Sequence, residues 1–201
     1  MLENYKVILA SNSPRRRELL GMLDIPFEIA ESRDIEETYP ADLDPEKVPE
    51  FLSRLKAEAY SDSITPDNIL ITADTVVICG NEILGKPASG EDAVDMLMKL
   101  SGRSHKVVTG VCVTSAGYQE SFSTVTIVEF DSLRADEIEY YVSHYSPLDK
   151  AGAYGIQEWI GAVGVKGIDG SFYNVMGLPV NRLYNVLRKF DNVARPVTDN
   201  R

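Results

Sequence analysis

Asp74 lies inside a run of apolar, mostly β-branched residues, Ile69 to Cys79. An ionised carboxylate there is costly unless it is paired or holds a metal, and carboxylates kept in such surroundings concentrate at sites of chemistry. The plainer alternative is a carboxylate at a strand end or bulge, satisfied by the hydroxyls of Thr72 and Thr75. Further on, Lys86 stands between Gly85 and Pro87, so its backbone is closely constrained. If Glu82-Ile83-Leu84 folds back on the apolar run, Lys86 comes close to Asp74. Near the start, Ser11-Asn12-Ser13-Pro14 precedes Arg15, Arg16 and Arg17. Ser13 suits a helix N-cap, and Pro14 suits the first helical position, where an N–H would be orphaned. Arginines in a first turn oppose the helix dipole, but a bound anion reverses that argument. Hydroxyls, free amides and guanidiniums around one turn suit phosphate oxygens. The competing explanation is a basic helix start paired with acidic surface elsewhere. The run lacks Gly-x-x-x-x-Gly-Lys and is not a P-loop.

Three further stretches offer chemistry. Asp34-Ile35-Glu36-Glu37-Thr38 places two glutamates in a loop. Lys56 borders the apolar face of a helix expected over Pro45 to Ser61, and either reaches inward or stays in solvent. Asp149 to Gln157 alternates small and polar residues, so its backbone must approach something closely. Its Gln157 amide can both donate and accept, which suits a base edge. His105 and His144 are the two histidines, and no Ser/His/Asp arrangement can be argued from them. A His-rich zinc site is not expected, and any metal should be a hard ion on oxygen ligands.

The elements needed to position these groups follow from hydrophobic period and turn chemistry. Val7–Ala10 and Phe27–Ala30 are expected strands, with a helix after Pro14 carrying Leu19, Leu20 and Leu23 inward. The next helix should turn Phe51, Leu52, Leu55 and Ala59 to one face. The strand containing Asp74 is apolar at nearly every position, which predicts a central strand covered on both faces. Gly80-Asn81 closes a hairpin. Ser89 should cap a helix ending near Leu100. Lys106–Thr114 and Ser121–Phe130 form the best antiparallel pair. A helix from Ala135 to His144, capped by Asp131 or Ser132, follows. Gly161–Val165 is expected as a short strand, Gly170 to Pro179 as a loop, and Pro179 as the start of the last helix. The tail from Asn192 is polar and expected to fray.

The 201 residues suffice for one large domain or two lobes. A net charge of −11 argues against a general nucleic-acid binder, yet permits a small anionic ligand in a locally cationic pocket. No apolar run approaches the ~20 residues of a membrane span. The first six residues carry no basic-then-apolar pattern, so no secretory leader is expected. Cys79 and Cys112 both lie in apolar runs and suit buried free thiols of a reducing compartment.

Taken together, the blocks have a likeness. Ala10-Ser11-Asn12-Ser13-Pro14-Arg15-Arg16, Ala73-Asp74-Thr75-Val76-Val77, Gly85-Lys86-Pro87, Ser101-Gly102-Arg103, Asp149 to Gln157 and Gly170 to Pro179 closely resemble the signature blocks of the Maf family, in the family's order. The resemblance spans about residue 6 to 190. It implies one domain over residues 1–201 with a mixed-sheet α/β fold of the inosine triphosphatase-like (Maf/Ham1) type, two lobes around a cleft, and a homodimer. It implies a cytoplasmic nucleoside triphosphate pyrophosphatase linked to septum formation, dependent on a divalent cation, Mg²⁺ or Mn²⁺. Nucleic-acid polymers and membranes are not expected partners.

Carried over by position, Ser11, Arg15 and Arg16 would hold phosphates, and Asp74 would be the catalytic carboxylate. Lys56 and Lys86 would be catalytic lysines. Glu37, or Glu36, would be the acidic partner that shares the metal with Asp74. Arg15, Thr75 and Gln157 fall at positions tied to base selection, and Gly155-Ile156-Gln157 resembles the form acting on dTTP and UTP. The region between Pro40 and Lys56 is shortened relative to the family pattern. The rival expectation is a nucleotide-binding regulator of septum formation with little catalysis, or the same chemistry on a modified nucleotide. A plain interaction protein with an acidic surface would leave the arginine cluster and Asp74 unexplained.

Overall fold

A computed structural model describes Leu2 and residues 5–191, so the tail expected to fray lies outside the described residues. One mixed sheet of seven strands runs through the molecule in the order β2 (Phe27–Ile29), β1 (Lys6–Leu9), β3 (Asn68–Cys79), β5 (Ser104–Ser115), β6 (Tyr118–Phe130) and β7 (Val165–Asp169). The seventh strand, β4 (Glu82–Leu84), pairs with β3. β1 is parallel to both neighbours and every other pairing is antiparallel.

The two edges of β3 are unequal. On one, β5 pairs continuously from Leu70 to Ile78. On the other, β1 pairs with Asn68 to Ile71 and β4 with Val77 to Cys79. Residues 72–76, Asp74 among them, therefore have no strand beside them on that edge among the described residues. This gap in the sheet is where the chemistry-bearing residues collect.

Both faces of β3 are covered, as its apolar run requires. α2 (Val48–Glu58) lies across one face, packing Val48 and Leu52 on Val76, Ile78 and Val108. The larger core fills the other face. There α3 (Gly90–Leu100), α4 (Ala135–Tyr145) and α7 (Val180–Asp191) contribute Leu97, Leu100, Ile138, Tyr141, Leu183 and Phe190.

Four local expectations differ from the structure. The helix expected over Pro45 to Ser61 is a 3-10 turn, Pro45–Lys47, then α2, then a second 3-10 turn, Ser61–Ser63. Its inner face is Val48, Leu52 and Ala57, while Phe51 is 38% exposed. α4 begins after Arg134, whose N–H donates to the Glu137 carboxylate at 2.8 Å, rather than after Asp131 or Ser132. The strand expected over Gly161–Val165 is instead the end of a helix, α5 (Trp159–Gly164), with β7 starting at Val165. Gly161 permits the helix, because a Cβ there would lie 1.8 Å from the Ile156 carbonyl oxygen. The loop from Gly170 to Pro179 contains a short helix, α6 (Phe172–Met176), capped by Ser171 and stopped by Gly177 at φ +117°.

His105 is a core residue, 3% exposed, with Nε2 2.7 Å from the Tyr154 hydroxyl and no partner for Nδ1 among the described residues. Burial pushes its pKa down from 6.5 to about 4. The unfolded chain therefore binds a proton before the folded one does. Stability from this residue is complete above pH 6.5 and falls as the pH drops towards 4, by up to about 3 kcal/mol. Melting of wild type and His105→Gln at pH 7 and pH 4.5 should show a smaller acid-induced drop in the variant. Equal drops would assign the acid sensitivity to carboxylates instead.

Candidate active site

The gap beside β3 opens into a cleft of about 360 Å³. The turn after β1 and the start of α1 (Pro14–Gly21) form one wall. The segment from Asp149 to Gln157 and the end of α6 form others. Ser11, Arg15, Arg16, Glu37 and Lys56 all line it, as do Asp74, Thr75, Lys86 and Gln157. Every residue proposed from the sequence thus meets in one place, although their positions span most of the chain. Glu37 is the glutamate of its pair that lines the cleft, whereas Glu36 does not. Six cationic side chains and three carboxylates line the space, in a chain with a net charge of −11.

Asp74 and Thr75 are neighbours on β3 and point to opposite faces. Asp74 faces α2, where Lys56 Nζ donates to its Oδ1 at 2.7 Å. The same ammonium lies 2.9 Å from Glu37 Oε2. Lys56 and Asp74 are 14% and 13% exposed at their side chains, and Glu37 is 48% exposed. One cation is thus clasped by two carboxylates at the cleft floor. The hydroxyls that neighbour Asp74 in sequence are engaged elsewhere: Thr72 Oγ1 donates to the Ser53 carbonyl at 2.6 Å, and Thr75 faces the other way.

Ser13 caps α1 as expected, accepting from the Arg16 N–H at 3.4 Å. Arg16 then reaches across to the open edge of β3. Its Nη1 donates to the Ala73 carbonyl at 2.8 Å, where a missing strand would have donated. Its Nε donates to the Gly177 carbonyl at 2.9 Å and its Nη2 to Thr75 Oγ1 at 3.0 Å. Burial lowers the pKa of this guanidinium, while the nearby Asp74 carboxylate pulls it back up. Arg16 therefore braces the cleft, with most of its donors used. Arg15 pairs with Asp149, Nη1 to Oδ2 at 2.6 Å. Lys86 lines the cleft with neither an ion pair nor a hydrogen bond among the described residues.

A buried network beneath the segment Asp149 to Gln157 was not recognised in the sequence. Lys150, 7% exposed, holds Asp149 at 2.8 Å and Glu158 at 3.2 Å. Burial works to raise the Asp149 carboxyl, but hydrogen bonds from Lys150 and Arg15 prevail and hold it at about 2. Tyr141 on α4 donates to Glu158 and accepts from the Gly155 N–H at 3.0 Å. Burial and that carboxylate push the Tyr141 phenol well above its ordinary pKa. The backbone leading to Gln157 is thereby fixed from below, with Gln157 itself exposed at the rim. The sequence signal for this network was Asp149-Lys150 beside small residues, but the partners on α4 were not legible.

The sequence and the fold both have known relatives. Residues 6–190 match the family described as Maf-like protein. A dTTP/UTP pyrophosphatase of Bacteroides thetaiotaomicron is 54% identical over 188 residues, covering 94% of this chain and 97% of the relative. One from Porphyromonas gingivalis is 56% identical over 191 residues, covering 94% and 96%. Among solved structures, a HAM1 protein from Coxiella burnetii superposes with a TM-score of 0.50 at 17% identity, covering 92% of this chain and 99% of that one. That likeness concerns the fold, and it agrees with the inosine triphosphatase-like sheet. The residues gathered at the gap in β3 fall inside the matched span, and with more than half of its positions shared with such relatives the chain belongs to the Maf family.

Proposed function

We propose that this protein hydrolyses dTTP and UTP to the nucleoside monophosphate and pyrophosphate. The observation that carries the reading is the Asp74–Lys56–Glu37 cluster, set in the sheet gap and facing a cationic cleft. The relatives named as dTTP/UTP pyrophosphatases support the choice of substrate.

Water attack on a phosphorus needs positioning and charge neutralisation more than covalent help. Lys56 engages Asp74 Oδ1, which leaves Oδ2 to orient the water and take its proton. Lys86 and Arg15 neutralise the triphosphate. Arg16 holds Ala73 and Gly177 in place around it. The two carboxylates also suit a hard divalent cation, because Asp74 Oδ1 and Glu37 Oε2 already converge on one positive charge. They would hold Mg²⁺ or Mn²⁺, which supplies Lewis-acid neutralisation of the phosphate oxygens. Cytoplasmic residence and a homodimer belong to the same reading and rest on the family resemblance. No helix among the described residues is long and apolar enough to cross a membrane.

Pyrophosphate release from a panel of triphosphates, with Mg²⁺, with Mn²⁺ and with neither, tests the proposal. Metal-dependent release favouring dTTP and UTP is expected. Tight triphosphate binding without release would favour a nucleotide-binding regulator. Gln157, at the rim, is assigned to the base edge, and Gln157→Glu should lower the dTTP/GTP ratio of kcat/KM by about tenfold or more, the range for a lost polar contact of 1–3 kcal/mol. An unchanged ratio would remove Gln157 from base selection.

A further inference from the structure

Glu37 reaches the cleft on a segment without regular structure. Residues 30–44 form neither helix nor strand, and loops of that length in a compact domain are usually either functional or mobile. Ordering a side chain on such a loop costs conformational entropy unless other contacts already fix the backbone. Glu37 nevertheless stands 2.9 Å from Lys56, which sits in the last turn of α2.

Arg33, shortly before Glu37, supplies the tie. Its guanidinium meets the end of α2 and the 3-10 turn that follows. Nη1 donates to the carbonyl of Ala59, the C-cap of α2, and Nη2 donates to Ser63 Oγ at 2.8 Å. Nη1 also lies 2.8 Å from Asp62 Oδ1, and Cζ lies 4.6 Å from the centre of the Tyr60 ring. The last carbonyls of a helix lack intrahelical donors and carry the negative end of its dipole, so a guanidinium suits that place. The planar fork serves three acceptors and a ring at once, which a compact ammonium does not. Two further contacts hold the segment on either side of Arg33. The Tyr60 hydroxyl donates to the Glu31 carbonyl at 2.8 Å, and Ile35 packs on the cluster of Ala57, Tyr60 and Leu70.

We propose that Arg33 is a positioning residue that clasps the acidic loop to the helix end carrying Lys56, and so sets Glu37 against the Lys56 ammonium beside Asp74. The inference rests on the pyrophosphatase reading and deepens it. Arg33 borders the cleft, but its fork is spent on Ala59, Ser63 and Asp62. It therefore acts through Glu37 rather than on the triphosphate.

The test is a double-mutant cycle on kcat with Arg33→Met and Glu37→Gln. Methionine keeps much of the apolar stem over Tyr60 but has no donor. Arg33→Met should lower kcat for pyrophosphate release from UTP by about tenfold when Glu37 is present, since misplacement by about 1 Å can cost a hundredfold. It should lower kcat by less than about twofold once Glu37 is already Gln. An arginine that bound the substrate directly would weaken both backgrounds equally, and that result overturns the proposal, as does an unchanged kcat in folded Arg33→Met. Loop order has its own readout. A glutamate-specific protease should cut after Glu36 and Glu37 about tenfold faster in Arg33→Met than in wild type, and equal cleavage overturns the clasp. Arg33→Lys keeps the charge near Asp62 without the fork, and it serves if the methionine variant does not fold. It should lower kcat by about threefold or more with the same dependence on Glu37, and equal effects in both backgrounds again overturn the proposal. Absence of pyrophosphate release from UTP and dTTP in wild type would fail the pyrophosphatase reading itself. Robust release with kcat untouched by Arg33→Met would fail only the clasp.

Discussion

Asp74→Asn is expected to lower kcat for pyrophosphate release by a hundred- to ten-thousandfold, roughly the range for losing a positioned general base, while the protein stays folded. Asparagine keeps the shape and can still accept from Lys56 through its carbonyl oxygen, but it cannot take a proton from water. Lys56 also retains Glu37 at 2.9 Å, so its ammonium is not left without a carboxylate. The cluster is partly open to solvent, which keeps the structural cost small. Melting within a few degrees of wild type is therefore expected, each kcal/mol moving the midpoint by about 2–4 °C in a protein of this size. Turnover and a circular-dichroism melt on the same preparation decide the matter. Turnover within tenfold of wild type would remove Asp74 from the proton-transfer step. A collapsed melting curve would show that the carboxylate is chiefly structural.

Asp74 was conspicuous in the sequence because the residues around it were wrong for it. An apolar β-branched strand announces itself by composition, and a carboxylate inside it requires an explanation. The arginines after Pro14 stood out for the same reason, as charges set against a helix dipole. Their division of labour was not visible. That Arg16 would stop at the carbonyls of Ala73 and Gly177 follows from the missing strand beside β3. That gap is a property of how far β1 and β4 extend along the sheet, which no local pattern encodes. Helix periodicity left Lys56 open between reaching inward and solvent, and only the family resemblance singled it out; α2 lying on the sheet is what brings it to Asp74.

The network under Gln157 was illegible for a related reason. Tyr141 reads as packing by its helical spacing, and packing is what most of its surface does. Its hydroxyl nevertheless holds Gly155 and Glu158. The helix at Trp159 was missed because Gly161 and Gly164 have low intrinsic helix propensity, whereas close packing against Ile156 and Leu133 selects them.

Gly110→Ala should be strongly damaging, as one added methyl group that meets only backbone. Gly110 sits on β5 directly opposite Asp74, and the first turn of α2 lies on top of it. A Cβ there would be 2.2 Å from the Glu50 nitrogen and from the Pro49 carbonyl carbon. Both are backbone atoms, so no side-chain rotation can relieve the clash. Overpacking in a core costs about 1–3 kcal/mol, occasionally more, and a backbone obstacle places this substitution at or beyond the upper end. A melting point at least about 6–12 °C below wild type is expected on that scale. Gly21→Ala is the matched control, since a Cβ there meets nothing within 4 Å.

The effect on turnover should exceed what the unfolded fraction explains. α2 is anchored to β6 by Glu50, whose carboxylate accepts from Ser121 at 2.8 Å and Ser123 at 3.3 Å. The same helix delivers Lys56 to Asp74 at its far end. A helix lifted at Pro49 must either break the Glu50 contacts or tilt and withdraw Lys56 from the carboxylates. Measured at a temperature where Gly110→Ala is fully folded, kcat should still fall by about tenfold or more, because misplacement by about 1 Å can cost a hundredfold. Wild-type kcat in the folded variant, together with the lowered melting point, would show that α2 yields at Pro49 without moving Lys56. Wild-type melting would show that α2 can move off Gly110 at no cost in stability.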